Sequence, residues 1–264
     1  MQVCAENIDK LTDEEYQQLR SVVLNQYSKT PIKAAEKADE YLSLYKDRFS
    51  LSQNLRMHYT KAYFLIGSEQ FEAAYSVLSK CKMLAEQLNE PKLTYYYYSY
   101  LAGMLDTLES YELSLETYLK GVKYAEKAND EGMVAQAQNN IGHVLIKFGQ
   151  YEKARFYIDK FHQYGLSVNS QGYIATALNN LGEIALGQGD LTQAKIYFLE
   201  SLAIRKNENH TRASSWSHYN LGKVYLETKE YSKAIPHLQK SIDIRVEFKL
   251  ELDSLKPQVT LAEV

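Results

Sequence analysis

Residues that interrupt helices are scarce in this sequence, which has four prolines and twelve glycines among 264 residues. Turns of an all-β fold depend on these residues, whereas Ala, Leu, Glu, Lys and Tyr, which favour helix or tolerate it, are abundant. The chain is therefore predicted to be all-α. The two cysteines, Cys4 and Cys81, are too few for a disulfide framework and too isolated for a metal site, so Cys81 is interpreted as a small packing residue.

Neither a concentration of charge nor a long apolar run is present. The net charge is −3 with both signs interspersed, which leaves no basic surface for nucleic acid and no polybasic membrane patch. No window approaches ~18 consecutive apolar residues, and acidic residues such as Glu6 and Asp9 stand where a signal peptide would be apolar. We expect no membrane insertion and a cytoplasmic location, or a periplasmic one if a signal peptide has been removed.

Catalytic and cofactor-binding motifs are also missing. The histidines are scattered without a His-Glu-x-x-His pattern, and no Gly-x-Ser-x-Gly occurs. Gly187-Gln188-Gly189 lacks the preceding strand that a phosphate-binding loop requires and is interpreted as a turn. His143 and Glu183 could mimic an acid–base pair, but we interpret them as a polar contact. We predict no enzyme activity, no metal and no cofactor.

The chain is repetitive. Asn140-Ile141-Gly142, Asn180-Leu181-Gly182 and Asn220-Leu221-Gly222 recur every 40 residues, and an alanine follows each glycine by twelve positions. The same phase extends in both directions. We therefore predict a single array over residues 1–264, which consists of a degenerate helix pair at 12–48, repeats at about 52–90, 92–130, 132–170, 172–210 and 212–250, and the start of a further repeat at 256–264.

Each repeat is predicted to be two antiparallel helices, because apolar residues recur at three- and four-residue spacing on both sides of a short turn. The small residue at positions 102, 142, 182 and 222 is placed where the two helices cross. Thr12 with Glu15 predicts a capping box, and Thr30-Pro31 predicts a helix start. We expect a local bend at Pro236 inside a second helix.

These marks resemble the tetratricopeptide repeat, in a variant of 40 residues that is longer than the familiar 34. The resemblance implies a right-handed superhelical solenoid. Similar long repeats occur in Rap-type peptide receptors and in sensory regions that precede GGDEF domains of bacterial signalling proteins, and also in kinesin light chains and Pins-type proteins. The resemblance therefore implies a binding module and favours the bacterial sensory group.

A ligand would lie along the first helices of such an array. Relative to the crossing residue, positions −3 and +1 lie away from the partner helix, and this stripe includes Tyr59, Tyr63, Asn139, His143, Asn179, Glu183, Tyr219 and Lys223. The aromatic residues Tyr96 and Trp216 lie one turn earlier and are candidate anchors. The resemblance places the lysine of a carboxylate clamp at position −3, which is held here by Tyr59, Ser99, Asn139, Asn179 and Tyr219, so a chaperone C-terminus is not the expected ligand.

Beside this stripe stand Asn140, Asn180 and Asn220. Two interpretations remain open, because a side-chain amide can pair with the backbone of an extended peptide or can bridge neighbouring helices. The resemblance implies the first, since asparagines at this position commonly hold a ligand's main chain. If these amides face an open groove, replacing all three with alanine should weaken binding and lower the melting temperature little.

The sequence therefore predicts a protein- or peptide-binding module, either the sensory or the scaffold region of a bacterial regulatory protein. A Rap-like regulator that acts on a response regulator is one alternative, and a self-associating structural adaptor is another. Leu255, Val259 and Leu261 would stay uncovered if the array stopped at Val264. We expect either that the protein continues or that it self-associates through its C-terminal end.

Overall fold

A computed structural model describes residues 9–26, 30–207, 211–247 and 251–262. Over these ranges it contains thirteen α-helices and no strand, so the predicted all-α fold of antiparallel helix pairs is confirmed. Two compact units are present, Met1–Asp130 and Glu131–Val264. Unit 1 contains α1 (Asp13–Gln26), α2 (Pro31–Leu44), α3 (Leu51–Gly67), α4 (Phe71–Leu88), α5 (Pro91–Thr107) and α6 (Tyr111–Lys127).

Unit 2 contains α7 (Glu131–Lys147), α8 (Tyr151–Ser167), α9 (Gln171–Gly187), α10 (Leu191–Asn207), α11 (Thr211–Glu227), α12 (Tyr231–Glu247) and α13 (Glu251–Ala262). Consecutive helices pack against each other, α7 with α8, α9 with α10, α11 with α12, and α13 with α12. None of the described helices is long and apolar enough to cross a bilayer.

The 40-residue repeat is made of two equal halves. From α3 to α12 a helix begins every twenty residues, and these helices are seventeen residues long except α4, which has eighteen. Each half is thus one helix followed by a turn of two or three residues. Helices of equal length let each first helix lie beside the first helix of the next repeat within a unit, as α7 lies beside α9 and α9 beside α11.

The turns share one backbone conformation. Gly149 and Gly189, each the middle residue of a turn, have positive φ, which glycine adopts without steric cost. The next residue then bonds back into the helix, as when the Gln150 N–H donates to the Leu145 carbonyl at 2.9 Å. Residues with side chains adopt the same positive φ at Glu69, Asn89, Glu109, Asn129, Asn169 and Lys229. The turn geometry is therefore set by the repeat and is kept even where glycine is absent.

The predicted helix starts at the N-terminal end are confirmed. The Thr12 N–H donates to Glu15 Oε2 at 2.8 Å and the Glu15 N–H donates to Thr12 Oγ1 at 3.2 Å, which is a reciprocal capping box. Pro31 is the first residue of α2. Pro236 lies inside α12, which continues through it.

Small residues make the crossing of the two helices in each repeat possible. A Cβ added to Gly142 would lie 2.5 Å from Ile158, one on Gly182 would lie 2.5 Å from Phe198, and one on Gly222 would lie 2.6 Å from Leu238. Such distances are well inside van der Waals contact, so these positions cannot hold a side chain without displacement. The predicted crossing point is confirmed.

The other small residues line the same helix interfaces. Ala34, Ala74, Ala154, Ala194 and Ala234 are fully buried, and so is Cys81, which is confirmed as a packing residue. Where the second repeat has Ser114 in the alanine position, its hydroxyl donates to the Ala102 carbonyl at 2.8 Å. This hydrogen bond satisfies the hydroxyl at the crossing, so the polar side chain is accommodated there.

We predict that Gly182→Ala destabilises the chain by about 1–3 kcal/mol, because the new methyl group must displace the ring of Phe198. Gly67→Ala is the matched control, since a Cβ there meets no atom within 4 Å. Denaturant unfolding followed by circular dichroism measures both. Equal stabilities of the two variants would contradict the close crossing.

A pair of histidines joins the two helices of the last complete repeat. His218 Nδ1 in α11 lies 3.0 Å from His237 Nδ1 in α12, so one ring must donate and the other accept. Burial, followed by the neighbouring His237 and Lys240, lowers the pKa of His218 to about 4, and burial also lowers the pKa of His237. Both rings are therefore neutral when they hold α11 and α12 together.

The histidine pair predicts that acid weakens the fold. In the unfolded chain these rings bind protons near pH 6.5, whereas in the folded chain burial holds the pKa of both rings below this value, that of His218 at about 4. Their contribution to stability is thus present above pH 6.5 and falls as the pH decreases from there towards about 4. Melting temperatures of the wild type and of His218→Gln across this range should show a shallower decline for the variant. Parallel curves would contradict this assignment.

Candidate functional site

The predicted stripe forms a partly exposed polar surface on unit 2. Its first helices α7, α9 and α11 lie side by side, and they carry Asn139, His143, Glu183, Tyr219 and Lys223, all of which are partly exposed. We call these five residues the polar face. Because they come from three neighbouring helices, a ligand on this surface would contact successive repeats.

Two of the recurring asparagines are buried and donate hydrogen bonds to residues of the polar face. Asn180 Nδ2 in α9 donates to Asn139 Oδ1 in α7 at 2.8 Å, and Asn220 Nδ2 in α11 donates to Glu183 Oε1 in α9 at 3.0 Å. The two asparagines are 6% and 4% exposed. Each one therefore uses its amide N–H to hold an acceptor on the preceding first helix.

Glu183 is held from two helices at once. Besides Asn220, Asn179 Nδ2 donates to Glu183 Oε1 at 2.8 Å, and the Ser217 hydroxyl donates to Asn179 Oδ1 at 3.3 Å. Within the described ranges no basic nitrogen lies within 4.0 Å of the Glu183 carboxylate. The carboxylate is thus fixed by neutral amides and not by an ion pair.

This arrangement changes how the asparagines are interpreted. Asn179, Asn180 and Asn220 are buried and bonded between helices, which corresponds to the bridging interpretation and not to amides that face an open groove. The expectation that replacing these asparagines with alanine would lower the melting temperature little is therefore wrong. Asn140, the first of the series, is partly exposed, and its Oδ1 lies 3.5 Å from Asn139 Nδ2.

A second buried polar group lies beneath α9 and was missed by the sequence analysis. Ser201 in α10 donates to the Ala175 carbonyl at 2.7 Å, and Arg205 donates through Nε to Ser201 Oγ at 3.2 Å and through Nη2 to Thr176 Oγ1 at 3.3 Å. Burial lowers the pKa of Arg205. The sequence does contain a sign of this group, because Arg205 occupies a repeat position that holds a small residue in earlier repeats, as at Gly165.

The candidate anchor Trp216 stacks on a buried arginine. The Arg245 guanidinium carbon lies 4.1 Å from the centre of the Trp216 ring and 5.5 Å from that of Tyr219. Trp216 remains 42% exposed. Lys223 Nζ lies 5.7 Å from the Tyr219 ring. These aromatic rings therefore contact cations of their own unit and remain partly exposed.

Unit 1 has aromatic residues at the corresponding positions. Tyr59 was predicted on the stripe, but it is 2% exposed and its hydroxyl donates to the Leu93 carbonyl at 2.7 Å, which makes it a core residue. Its ring stacks on Tyr100, with the ring centres 5.5 Å apart. The ring centres of Tyr63 and Tyr96 lie 6.4 and 6.5 Å from that of Tyr100, and both side chains remain at least partly exposed.

In the described parts of the two units, no side chains are arranged for metal binding. Within the described ranges, no three His, Cys, Asp or Glu side chains are grouped so that they could hold a metal ion. His143 and Glu183 are both on the polar face, and the contacts of Glu183 are with amides. The surface is equipped with hydrogen-bond donors and acceptors, aromatic rings and isolated charges, which are the means of non-covalent recognition.

Comparison with known proteins agrees with this architecture. Residues 173–245 and 135–161 match family models described as tetratricopeptide repeat. No curated protein matches the sequence.

Solved structures with the same fold include NprR in complex with its cognate peptide NprX, at a TM-score of 0.72 and 19% identity over 92% of this chain and 70% of that one. A Rap protein complexed with competence and sporulation factor has a TM-score of 0.71 and 18% identity over 89% of this chain and 65% of that one. Aspartyl phosphate phosphatase F from Bacillus subtilis has a TM-score of 0.69 and 19% identity over 88% of this chain and 59% of that one. At such identities the likeness establishes the fold.

We predict that Asn220→Ala lowers the free energy of unfolding by about 1–3 kcal/mol, because a buried donor to a carboxylate is lost. Asn140→Ala is the matched control at the same repeat position, and its more exposed amide should cost less. Denaturant titrations of the two variants test this difference. A larger loss for Asn140→Ala would show that burial of the amide is not what matters.

Proposed function

Since the chain is a tetratricopeptide-type repeat protein, we propose that its polar face binds a peptide or protein segment and that the chain is the sensory or scaffold region of a bacterial regulatory protein. The observation that carries this proposal is the use of one recurring asparagine to hold a different acceptor on each preceding helix. Acceptors fixed before a ligand arrives lose little conformational freedom on binding.

Features of unit 2 support an extended ligand. Its polar face crosses three first helices, so one segment of chain can reach side chains from each of them. Trp216 and Tyr219 add aromatic surface beside the polar groups, and aromatic residues are the common anchors of protein interfaces. The neighbours in complexes with NprX and with competence and sporulation factor carry peptide or protein ligands on the same fold.

A second candidate function is a Rap-like regulator that acts on a response regulator. It is favoured by the shared fold with aspartyl phosphate phosphatase F. Phosphate release from a phosphorylated receiver domain, measured with and without the chain, tests it. Release at the spontaneous rate would exclude phosphatase action and leave binding as the function.

The proposed binding face predicts a specific effect of Lys223→Glu. Lys223 is partly exposed on α11, and reversing its charge alters the surface that a ligand meets without removing a buried contact. A synthetic random heptapeptide library is captured on the wild type and on the variant. We expect the variant either to capture different peptides from those captured by the wild type or to capture at least about tenfold fewer of them. The reason is that a reversed charge on the binding surface repels groups that the wild type accepts.

Lys153→Glu is the matched control, since Lys153 is exposed on α8, a second helix. It should capture the same peptides as the wild type. Equal capture by all three proteins would show that the polar face is not where peptides bind. Capture of no peptide by the wild type would contradict peptide binding itself.

A further inference from the structure

Glu183 differs from Lys223, the other charged residue of the polar face, in how its side chain is held. Oε1 accepts hydrogen bonds from Asn179 at 2.8 Å and from Asn220 at 3.0 Å, so the carboxylate is fixed from α9 and from α11. In the part of the chain that the structure describes, no hydrogen-bond donor contacts Oε2. One oxygen thus fixes the side chain and the other is left for a further partner.

The charge of this carboxylate is not needed to stack the repeats. The position one residue after the helix crossing carries five different residues along the chain, Tyr63, Gly103, His143, Glu183 and Lys223. By contrast, the supporting asparagine recurs at Asn140, Asn180 and Asn220. Repetition within one chain marks what every repeat needs to stack, so the variable position is free to serve a particular ligand.

Among the residues that the structure describes, no cation lies within 4.0 Å of the Glu183 carboxylate. The cation at the corresponding position of the next first helix is Lys223, and its Nζ lies over the Tyr219 ring and more than 4.0 Å from the carboxylate. Two neutral amides orient the carboxylate but leave its charge in place. A fixed anion with an open oxygen is a strong acceptor for an ammonium or guanidinium group, since charge-assisted hydrogen bonds exceed neutral ones.

We propose that Glu183 binds a cationic group of the peptide ligand, either a Lys or Arg side chain or the N-terminal ammonium, and that this contact selects basic ligands. The inference rests on the proposed peptide-binding function. Asn179 and Asn220 act as positioning residues, because they hold the carboxylate through Oε1 while Oε2 meets the ligand.

The variant Glu183→Gln separates this role from a structural one. Glutamine keeps a carbonyl oxygen that accepts from both asparagines, so the contact between α9 and α11 can persist, but the charge is lost and a donor replaces the open oxygen. Glu200→Gln is the matched control, since it removes one charge at an exposed position of the second helix α10. Thermal melts of both variants report whether the fold is kept.

Random heptapeptide libraries provide the ligand probe. One library has free N-termini and the other is N-acetylated, and each is captured on the wild type, on Glu183→Gln and on Glu200→Gln. We expect the wild type and Glu200→Gln to enrich Lys or Arg at one peptide position in both libraries if a side chain is bound, and to favour the free N-termini if the terminal ammonium is bound. Glu183→Gln should lose this preference, with at least about tenfold weaker binding of the selected basic peptide.

A zero-length carbodiimide cross-link tests the contact in the wild-type protein, whatever the stability of the variant. The reagent joins a carboxylate to an amine in direct contact, so a selected lysine-containing peptide, or one whose free N-terminus is selected, should be linked to Glu183 in tryptic digests. If the selected cation is arginine, a lysine analogue of that peptide is used.

The outcomes are distinct. Loss of the basic preference together with a cross-link at Glu183 supports the inference. Peptides that bind without a basic preference, or with a preference that Glu183→Gln keeps, overturn it while the proposed function stands. If neither library yields peptides captured above the resin background, the proposed function fails and this inference fails with it.

Discussion

The two helices of each complete repeat in unit 2 approach so closely that the crossing position on the first helix has no room for a Cβ. At Gly182 a methyl group would overlap the ring of Phe198, and Gly142 and Gly222 meet Ile158 and Leu238 in the same way. This contact fixes the rotation of each first helix about its own axis. Once that rotation is fixed, the same positions face the next helix and the same positions face outward in every repeat.

The recurring asparagine lies two residues before the crossing and therefore faces the preceding first helix within the unit. Asn180 and Asn220 use this direction to hold Asn139 and Glu183. The bond is the same in both repeats but the side chain that it holds is different. The repeated residue thus carries the architecture, and in the function that we propose the variable residues would meet the ligand, so that the surface could change without changing how the helices stack.

Much of this fold could be predicted from the sequence, because helix pairs are local and their marks recur. The spacing of 40, the crossing glycines and the Thr12 capping box need only neighbouring residues to be understood. The burial of Asn179 and Asn220 could not be predicted in the same way, since a helix from a neighbouring repeat decides whether a side chain on a first helix is covered. The His218 and His237 contact and the environment of Arg205 likewise depend on side-chain directions across helices.

We propose that the recurring asparagines hold the polar face together while variable residues meet the ligand. A crystal structure of the chain with a captured peptide tests this most directly. We expect that Asn180 Nδ2 still donates to Asn139 and Asn220 Nδ2 still donates to Glu183, with the ligand's cationic group on the other carboxylate oxygen. A complex in which these amides have turned away from their neighbours to bond the peptide backbone would contradict it.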